Sequence, residues 1–211
     1  MSADRAAGAR ETYPGVVVGL VTDNEDPEGL GRVRVTFPWR GTEDENESFW
    51  APVAVPMAGA EYGTYFLPEV DDEVLVAFEN GDLQYPYVVG ALWSADRAPP
   101  ESNDGNNDVR TVRSRSGHAV TFDDGDDGAV EVTTAGGNSI TLEDASGSER
   151  ITVADSGGNS VELDAASGTV TVSGATKVVL SGTMLELTAD GNIDIEASGV
   201  LNLKGALVNI N

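Results

Sequence analysis

The feature that most constrains this chain is a ladder of paired apolar residues that starts after residue 110. Each rung has the form apolar–x–apolar, and Gly, Ser, Asn or Asp residues separate it from the next rung. Residues i and i+2 of a β-strand point to the same face, so each rung predicts one short strand with an apolar side. Eleven such rungs follow one another, from Val120/Phe122 and Val130/Val132 to Val208/Ile210.

The spacing of the rungs is short and regular. The first residues of successive rungs lie 10, 10, 11, 10, 9, 8, 7, 8, 8 and 7 positions apart, so the period settles near eight. Residues 136–147 and 157–168 share eight of twelve positions at an offset of 21. A fixed short period indicates a repetitive β architecture.

One chain that winds at eight residues per rung cannot enclose an interior, because a coil of a single-chain β-helix needs roughly 20 residues or more. Three chains wound together would each supply one short strand per layer. Burial of rung side chains at about 1.5–3 kcal/mol each does not match the backbone entropy of ordering the ladder, so interchain contacts are needed. An isolated eleven-strand β-sandwich is the alternative. The predicted trimer core comprises Val120, Phe122, Ile140, Leu142, Ile151, Val153, Val161, Leu163, Val170, Val172, Val178, Leu180, Leu185, Leu187, Ile193, Ile195, Leu201 and Leu203.

The part of the chain before the ladder differs in composition and in its pattern of apolar residues. Five runs rich in Val and aromatic residues are separated by Gly, Pro, Asp and Asn, which predicts short strands at 15–21, 31–37, 49–55, 73–79 and 85–93. No window keeps a helical period. Five short strands suit a small closed barrel, because closure removes exposed strand edges. The predicted all-β organisation is an N-terminal arm at 1–14, a barrel at 15–96, a linker at 97–110 and a needle at 111–211.

Charge and composition narrow the possible functions. The chain carries 36 acidic and 12 basic residues, a net charge of −24, and its only lysines are Lys177 and Lys204. Dispersed carboxylates are typical of proteins from extreme halophiles, since molar salt shortens the Debye length to about 3 Å. The same charge opposes binding to phosphates. Cysteine is absent, which excludes disulfides and cysteine-liganded zinc.

No targeting or membrane segment is predicted. Residues 1–13 lack the apolar core of a signal peptide, and no apolar stretch approaches the roughly 20 residues of a membrane span. We therefore expect a protein that is made in the cytoplasm without a cleavable export signal.

Several motifs that suggest chemistry are better explained as turns. The acidic segment 123–128 resembles a calcium loop, but Gly125 breaks the ligand pattern, so a hairpin turn is predicted. The segments 136–139 and 157–160, both Gly-Gly-Asn-Ser, are also interpreted as turns. His118, the single histidine, is predicted to be a hydrogen-bonding turn residue. No catalytic residue, cofactor or metal ligand is predicted.

Six segments and the ladder, in this order, resemble the central spike of contractile injection systems. This family includes phage baseplate assembly protein V and the OB-fold and needle portion of VgrG-type spikes. The segments are 31–39, 48–51, 66–78, 80–82, 85–93 and 115–124. The resemblance implies an OB-fold barrel, an intertwined trimeric β-helix, no enzyme activity, and a place in a phage-tail-like particle that pierces an envelope. Asp71 departs from the family pattern, which commonly has Gly there.

The resemblance also implies partners. VgrG-type proteins carry a hub domain ahead of the barrel, so a separate hub protein is expected to contact the barrel, through Tyr13, Trp39, Trp50 or Trp93. A PAAR-repeat tip protein is expected to dock on Leu207, Val208, Ile210 and Asn211.

Two other functions stay open at this point. One is an OB-fold module on a trimeric stalk that binds nucleic acid or carbohydrate, although Arg32, Arg34 and Arg40 are its only basic candidates. The other is a β-helix that cleaves polysaccharides.

Overall fold

The computed structural model describes residues 12–40 and 46–210, so Asn211, a predicted docking residue, lies outside the described residues. The chain divides into two compact units between Asp104 and Gly105. The predicted linker, 97–110, includes this division.

The first unit is a five-stranded barrel. Its strand order is β3-β2-β1-β6-β7, and all neighbours in that order are antiparallel. A parallel bridge between Val53 and Val88, with a 2.8 Å hydrogen bond from Ala54 N to Val88 O, joins the two ends. When the barrel strands β1, β2, β3, β6 and β7 are numbered 1 to 5, neighbouring strands follow the order 1-2-3-5-4-1. This is the topology of an OB fold, which confirms the predicted fold class. The strands are β1 Val16–Asp23, β2 Arg32–Thr36, β3 Ala51–Pro52, β4 Ala58–Gly59, β5 Tyr62–Gly63, β6 Glu73–Phe78 and β7 Pro86–Leu92; β4 and β5 form a separate small hairpin.

Alternation along the strands builds the barrel core. In β2 and β6 every second residue is buried, as expected for strands with one face inward. Gly19 in β1 is required by close packing, because a Cβ there would lie 2.2 Å from Val35 Cγ1. The buried core consists of Val21, Val33, Val35, Phe37, Ala51, Val74, Val76, Phe78 and Val88.

Asp71, the departure from the family pattern, occupies a turn that glycine would fit more easily. Its φ is +70°, in the left-handed region, which Asp tolerates better than most residues. Its N–H donates to Val21 O at 2.8 Å. The turn geometry is therefore kept despite the substitution.

The β1–β2 loop is organised by one carboxylate. Asp26 accepts hydrogen bonds from the backbone N–H groups of Glu28, Leu30 and Arg32, and from Arg32 Nε at 2.8 Å and Nη2 at 2.7 Å. The hydrogen-bonded Arg32 guanidinium holds the pKa of Asp26 well below its usual range. We call the two side-chain hydrogen bonds the Asp26–Arg32 fork. Together with the backbone bonds to Asp26, this fork holds the loop tip, which includes exposed Leu30, in place.

Replacing Asp26 by Asn should lower the thermal midpoint of barrel unfolding by several degrees at pH 7. A carboxyl with a lowered pKa contributes stability that is fully present above its unfolded pKa, about 3.9, and is lost as pH falls below that value. The difference between wild type and Asp26→Asn should therefore shrink below about pH 4. Tryptophan fluorescence reports on this unit, since Trp39, Trp50 and Trp93 all precede residue 105.

The control is Glu28→Gln, which removes an exposed carboxylate 3.4 Å from the same guanidinium. It should leave the midpoint almost unchanged, because exposed ion pairs contribute little. Equal effects of the two substitutions would show that the loop has no organising carboxylate.

The second unit begins with a seven-stranded antiparallel meander. Each strand pairs with the next one in sequence. β8 starts at Val109, two residues before the predicted start of the needle. The strands are β8 Val109–Arg113, β9 Ala119–Asp123, β10 Ala129–Thr133, β11 Ser139–Glu143, β12 Arg150–Ala154, β13 Ser160–Asp164 and β14 Thr169–Ser173.

Residues 174–210, all described by the structure, have no assigned strand. Bends interrupt them at 175–176, 183, 190–191, 198–199 and 206, once about every eight residues and between successive rungs. We call this part the octad segment.

The ladder therefore consists of two parts that differ in strand pairing, whereas the sequence predicted one intertwined architecture throughout. The six rungs from Val120 to Val172 pair within the chain, and the five after Gly174 do not. Spacings of 9 to 11 leave four to six residues for a hairpin turn after a five-residue strand. Spacings of seven or eight leave only two or three residues.

Candidate interaction surfaces

One face of the meander is apolar across all seven strands. The register places rung residues directly opposite one another, and residues opposite in an antiparallel pair share a face. Two columns result, and we call them together the apolar face. The first holds Val112, Val120, Val132, Ile140, Val153, Val161 and Val172; the second holds Phe122, Val130, Leu142, Ile151, Leu163 and Val170, with Arg110 at its end.

The apolar face is exposed in the single chain. Eleven of its thirteen apolar side chains are 37% to 66% exposed, and only Val120 and Val130 are half-buried. In β11, β12 and β13 the apolar residues are more exposed than the polar residues between them. A contiguous apolar patch of this size marks an interaction surface.

The opposite face of the sheet is polar. Its central column runs across the seven strands through Thr111, Thr121, Glu131, Thr141, Thr152, Glu162 and Thr171. Thr111 Oγ1 and Thr121 Oγ1 lie 3.0 Å apart within hydrogen-bonding distance. The sheet thus has one face suited to water and one suited to a partner.

Three five-residue turns on one side of the sheet share one construction. Each starts with Ser114, Thr134 or Asp155, whose side chain accepts a hydrogen bond from the N–H of the last turn residue. The fourth residue is a glycine with φ between +85° and +92°, a conformation that favours glycine.

The last residue of each turn bridges to the next turn. His118 Nδ1 accepts from Ala135 N at 3.3 Å, Asn138 Oδ1 from Ser156 N at 3.3 Å, and Asn159 Oδ1 from Ala175 N at 2.9 Å. The prediction that His118 is a hydrogen-bonding turn residue is confirmed. The last of these bonds holds Ala175, the second residue of the octad segment.

Replacing Asn138 by Ala should weaken this stack by on the order of 1 kcal/mol, because one exposed hydrogen bond is lost. The N–H of Ser156 should then exchange about fivefold faster, as measured by amide hydrogen exchange. Asn138→His should restore most of the protection, because His118 makes the same bond at the equivalent position. Equal exchange in Asn138→Ala and wild type would show that the bond does not order the turns.

The octad segment exposes every rung. Its apolar residues include Leu187 at 64%, Ile195 at 62% and Leu203 at 63% exposure. Among the described residues, no hydrogen bond joins two backbone groups within 174–210. The predicted docking residues Leu207, Val208 and Ile210 are 77%, 49% and 85% exposed.

The structure brings together two of the four predicted hub contacts. The rings of Tyr13 and Trp39 lie 4.7 Å apart, and Trp39 lies 5.7 Å from Phe37 in the core. The Arg34 guanidinium instead lies over Trp50, with Arg34 Cζ 5.0 Å from the centroid of the Trp50 ring. Trp93 is 71% exposed. Whether any of the four contacts a hub stays a prediction.

Sequence reasoning missed an apolar groove on the barrel. The β4–β5 hairpin and the β1–β2 loop border a groove of about 570 Å³. Its exposed large apolar side chains are Leu30, Met57, Tyr62, Tyr65 and Phe66. The signal was the aromatic cluster in residues 61–66, which lies outside the predicted strands.

The barrel arginines are engaged in ion pairs. Arg32 binds Asp26 at 2.7 Å, and Arg34 binds Glu47 at 2.5 Å. Two of the three basic residues that an OB-fold nucleic-acid site would need are therefore neutralised by carboxylates of the same barrel. This arrangement disfavours nucleic-acid binding.

The described residues offer neither a metal centre nor a membrane helix. No group of three or more His, Cys, Asp or Glu side chains in them is placed to hold a metal ion. The segment 123–128 comprises the last residue of β9 and the connection to β10, and Asp123 Oδ1 accepts a hydrogen bond from Gly125 N at 2.9 Å. Within 12–40 and 46–210, no helix has the length and apolar character to cross a membrane.

Comparison with known proteins agrees with this geometry. Residues 17–93, which contain nearly all of the barrel, match the family described as type VI secretion system/phage-baseplate injector OB domain. The predicted resemblance to VgrG-type spikes is confirmed. The chain is 31% identical over 137 residues to the type VI secretion system spike protein VgrG3 of Vibrio cholerae, which covers 64% of this chain and 12% of that protein.

Two spike proteins of Pseudomonas aeruginosa are also similar. VgrG2a is 34% identical over 101 residues, 47% of this chain and 12% of that protein. VgrG1a is 30% identical over 138 residues, 64% of this chain and 20% of that protein. The chain thus spans an eighth to a fifth of the length of these VgrG-type relatives.

Proposed function

We propose that this protein is a non-enzymatic, homotrimeric spike of a contractile injection system. The observation that carries this proposal is the apolar face, whose thirteen apolar side chains are mostly exposed in the single chain. Three copies that turn these faces toward a common axis would bury them together. The similarity to VgrG-type spikes supports this assembly.

Strand length indicates how the sheets would pack. A five-residue strand spans about 17 Å, and a triangle with sides of that length has its centre about 5 Å from each side. This matches half the ~10 Å separation of packed sheets. With strands parallel to the axis, the sides would be about 29 Å wide and the centre about 8 Å away, which leaves a void. The strands therefore run across the axis, and the sheet stacks along it.

The octad segment supports three chains over two. Backbone N–H and C=O groups that are buried need partners, and this segment has none of its own backbone to pair with among the described residues. Bends of one or two residues suit the corners of a three-sided winding. In a two-chain arrangement each chain would have to reverse direction between two packed layers, which usually takes a longer turn.

Such a needle would act mechanically. Contraction of a sheath would drive it through the target envelope, and the three chains would resist bending because no chain could slip its register alone. The protein would assemble in the cytoplasm and become part of a phage-tail-like particle, released or virion-associated.

We place the partners at two positions. A hub protein would contact the barrel through the Tyr13 and Trp39 pair or exposed Trp93. A PAAR-repeat tip protein would dock on Leu207, Val208 and Ile210. Deleting residues 200–211, which contain the final two rungs, should leave a trimer that no longer binds a PAAR-repeat protein. Persistent binding would place the tip contact elsewhere.

Sedimentation of the purified chain in molar salt tests the central proposal. Three copies in an elongated particle are expected. A monomeric species would overturn it, because the octad segment has no partner backbone in one chain.

A further inference from the structure

The meander has two lateral edges of different charge. At one end of its strands, Asp123, Glu143 and Asp164 share a register with Arg150. The connections on that side, 124–128, 144–149 and 165–168, add Asp124, Asp126, Asp127, Asp144 and Glu149. We call this side the acidic edge.

The other side holds the three five-residue turns, and we call it the turn edge. Between residues 113 and 118 it contains Arg113 and Arg115, and no acidic residue. The only carboxylate among the three turns is Asp155, which is bound to Asn159 Nδ2 at 2.7 Å. Asn159 lowers the pKa of Asp155, so this carboxyl is ionised at neutral pH.

Cyclic symmetry would bring these edges together. This step rests on the proposed trimer. When three identical sheets with strands across the axis form a prism, every corner joins one edge of a copy to the opposite edge of the next, because the contacts are head-to-tail. The acidic edge of each copy therefore faces the turn edge of its neighbour.

The positions of the loops along the needle axis determine which loops of neighbouring copies meet. The turn 114–118 and the connection 124–128 extend from the two ends of the same strand, β9. In neighbouring copies they differ along the axis by about one strand spacing, ~4.8 Å. Asp124 pairs with Arg110 of its own chain. Asp126 and Asp127 at the loop tip and Arg115 on its turn are all exposed to solvent.

We propose that Arg115 of one copy pairs with Asp126 and Asp127 of the next copy at each corner of the needle. The pairing fixes the order of copies around the axis and their axial register. Apolar faces alone specify register weakly, because successive rungs are similar in size and shape. Opposite charges steer the edges together and disfavour copies that meet acidic edge to acidic edge.

Directed cross-linking tests this contact, because the chain contains no cysteine. The variant Arg115→Cys/Asp126→Cys is treated with a short bismaleimide and run on a denaturing gel. Covalent dimers and trimers are expected. The matched control is Arg115→Cys/Ser167→Cys, whose second cysteine lies on the same edge but about five strand spacings, ~24 Å, from the turn. It should cross-link roughly tenfold less.

A charge exchange gives a second readout. Arg115→Asp should weaken the trimer in low salt, and adding Asp126→Arg and Asp127→Arg should restore it. A trimer by sedimentation that cross-links equally in both cysteine variants would overturn the corner contact and leave the proposed function intact. The absence of restoration would do the same. A monomer in sedimentation would overturn both.

Discussion

Replacing Leu142 by Lys should abolish the trimer. Leu142 lies in the middle of the apolar face, opposite Val130 and Ile151 on the neighbouring strands. In a threefold needle the substitution would place three ammonium groups in one layer of the core. Burying one unpaired charge costs several kcal/mol even after relaxation, and here the three charges also repel one another. Sedimentation velocity should show loss of the three-copy species.

Thr141→Lys is the matched control, because it adds the same charge one residue away on the polar face. There Thr141 lies opposite Glu131, so a lysine gains a favourable neighbour. This variant should remain trimeric and as stable as wild type. If Leu142→Lys also stayed trimeric, the apolar face would not be the interface.

Replacing Leu185 and Leu187 by Lys should unravel the octad segment and leave the meander ordered. Both side chains are exposed in the single chain, at 60% and 64%, and belong to one rung. The segment has no backbone partner of its own among the described residues. Its amides from about residue 182 onward should therefore lose protection by on the order of a hundredfold in hydrogen exchange.

The meander responds differently because its strands pair within the chain. Amides of β10 to β13 should keep most of their protection in this variant. Glu186→Lys/Thr188→Lys is the control, since these positions alternate with the rung residues in the sequence, and full protection is expected. Loss of protection throughout residues 119–164 would show that the two parts unfold as one unit.

Local patterns predicted much of the barrel. All five predicted strands are present, within a few residues of their bounds, because alternating Val residues such as Val33 and Val35 show which face is buried. The β4–β5 hairpin was missed because its strands have two residues each and no alternation. The Asp26–Arg32 fork was missed because six residues and a loop separate the partners.

The site was predicted in part. The rung residues were identified from their period, and His118 from its turn sequence. The prediction did not distinguish the paired rungs of the meander from the unpaired rungs of the octad segment, although the change of spacing after Val170 was visible in the sequence. Spacing alone does not state which strand accepts a hydrogen bond, because a neighbouring strand of the same chain and one of another copy satisfy the backbone equally well.

The sequence by itself determined which residues are apolar, how often they recur, and that a lone chain exposes them. Side-chain periodicity follows from the pleat of a strand, which is a local property. Only the tertiary structure decided that seven strands align their rungs into two unbroken columns, and that the two edges of that sheet differ in charge. Register and edge composition depend on residues far apart in the chain, so no local pattern specifies them.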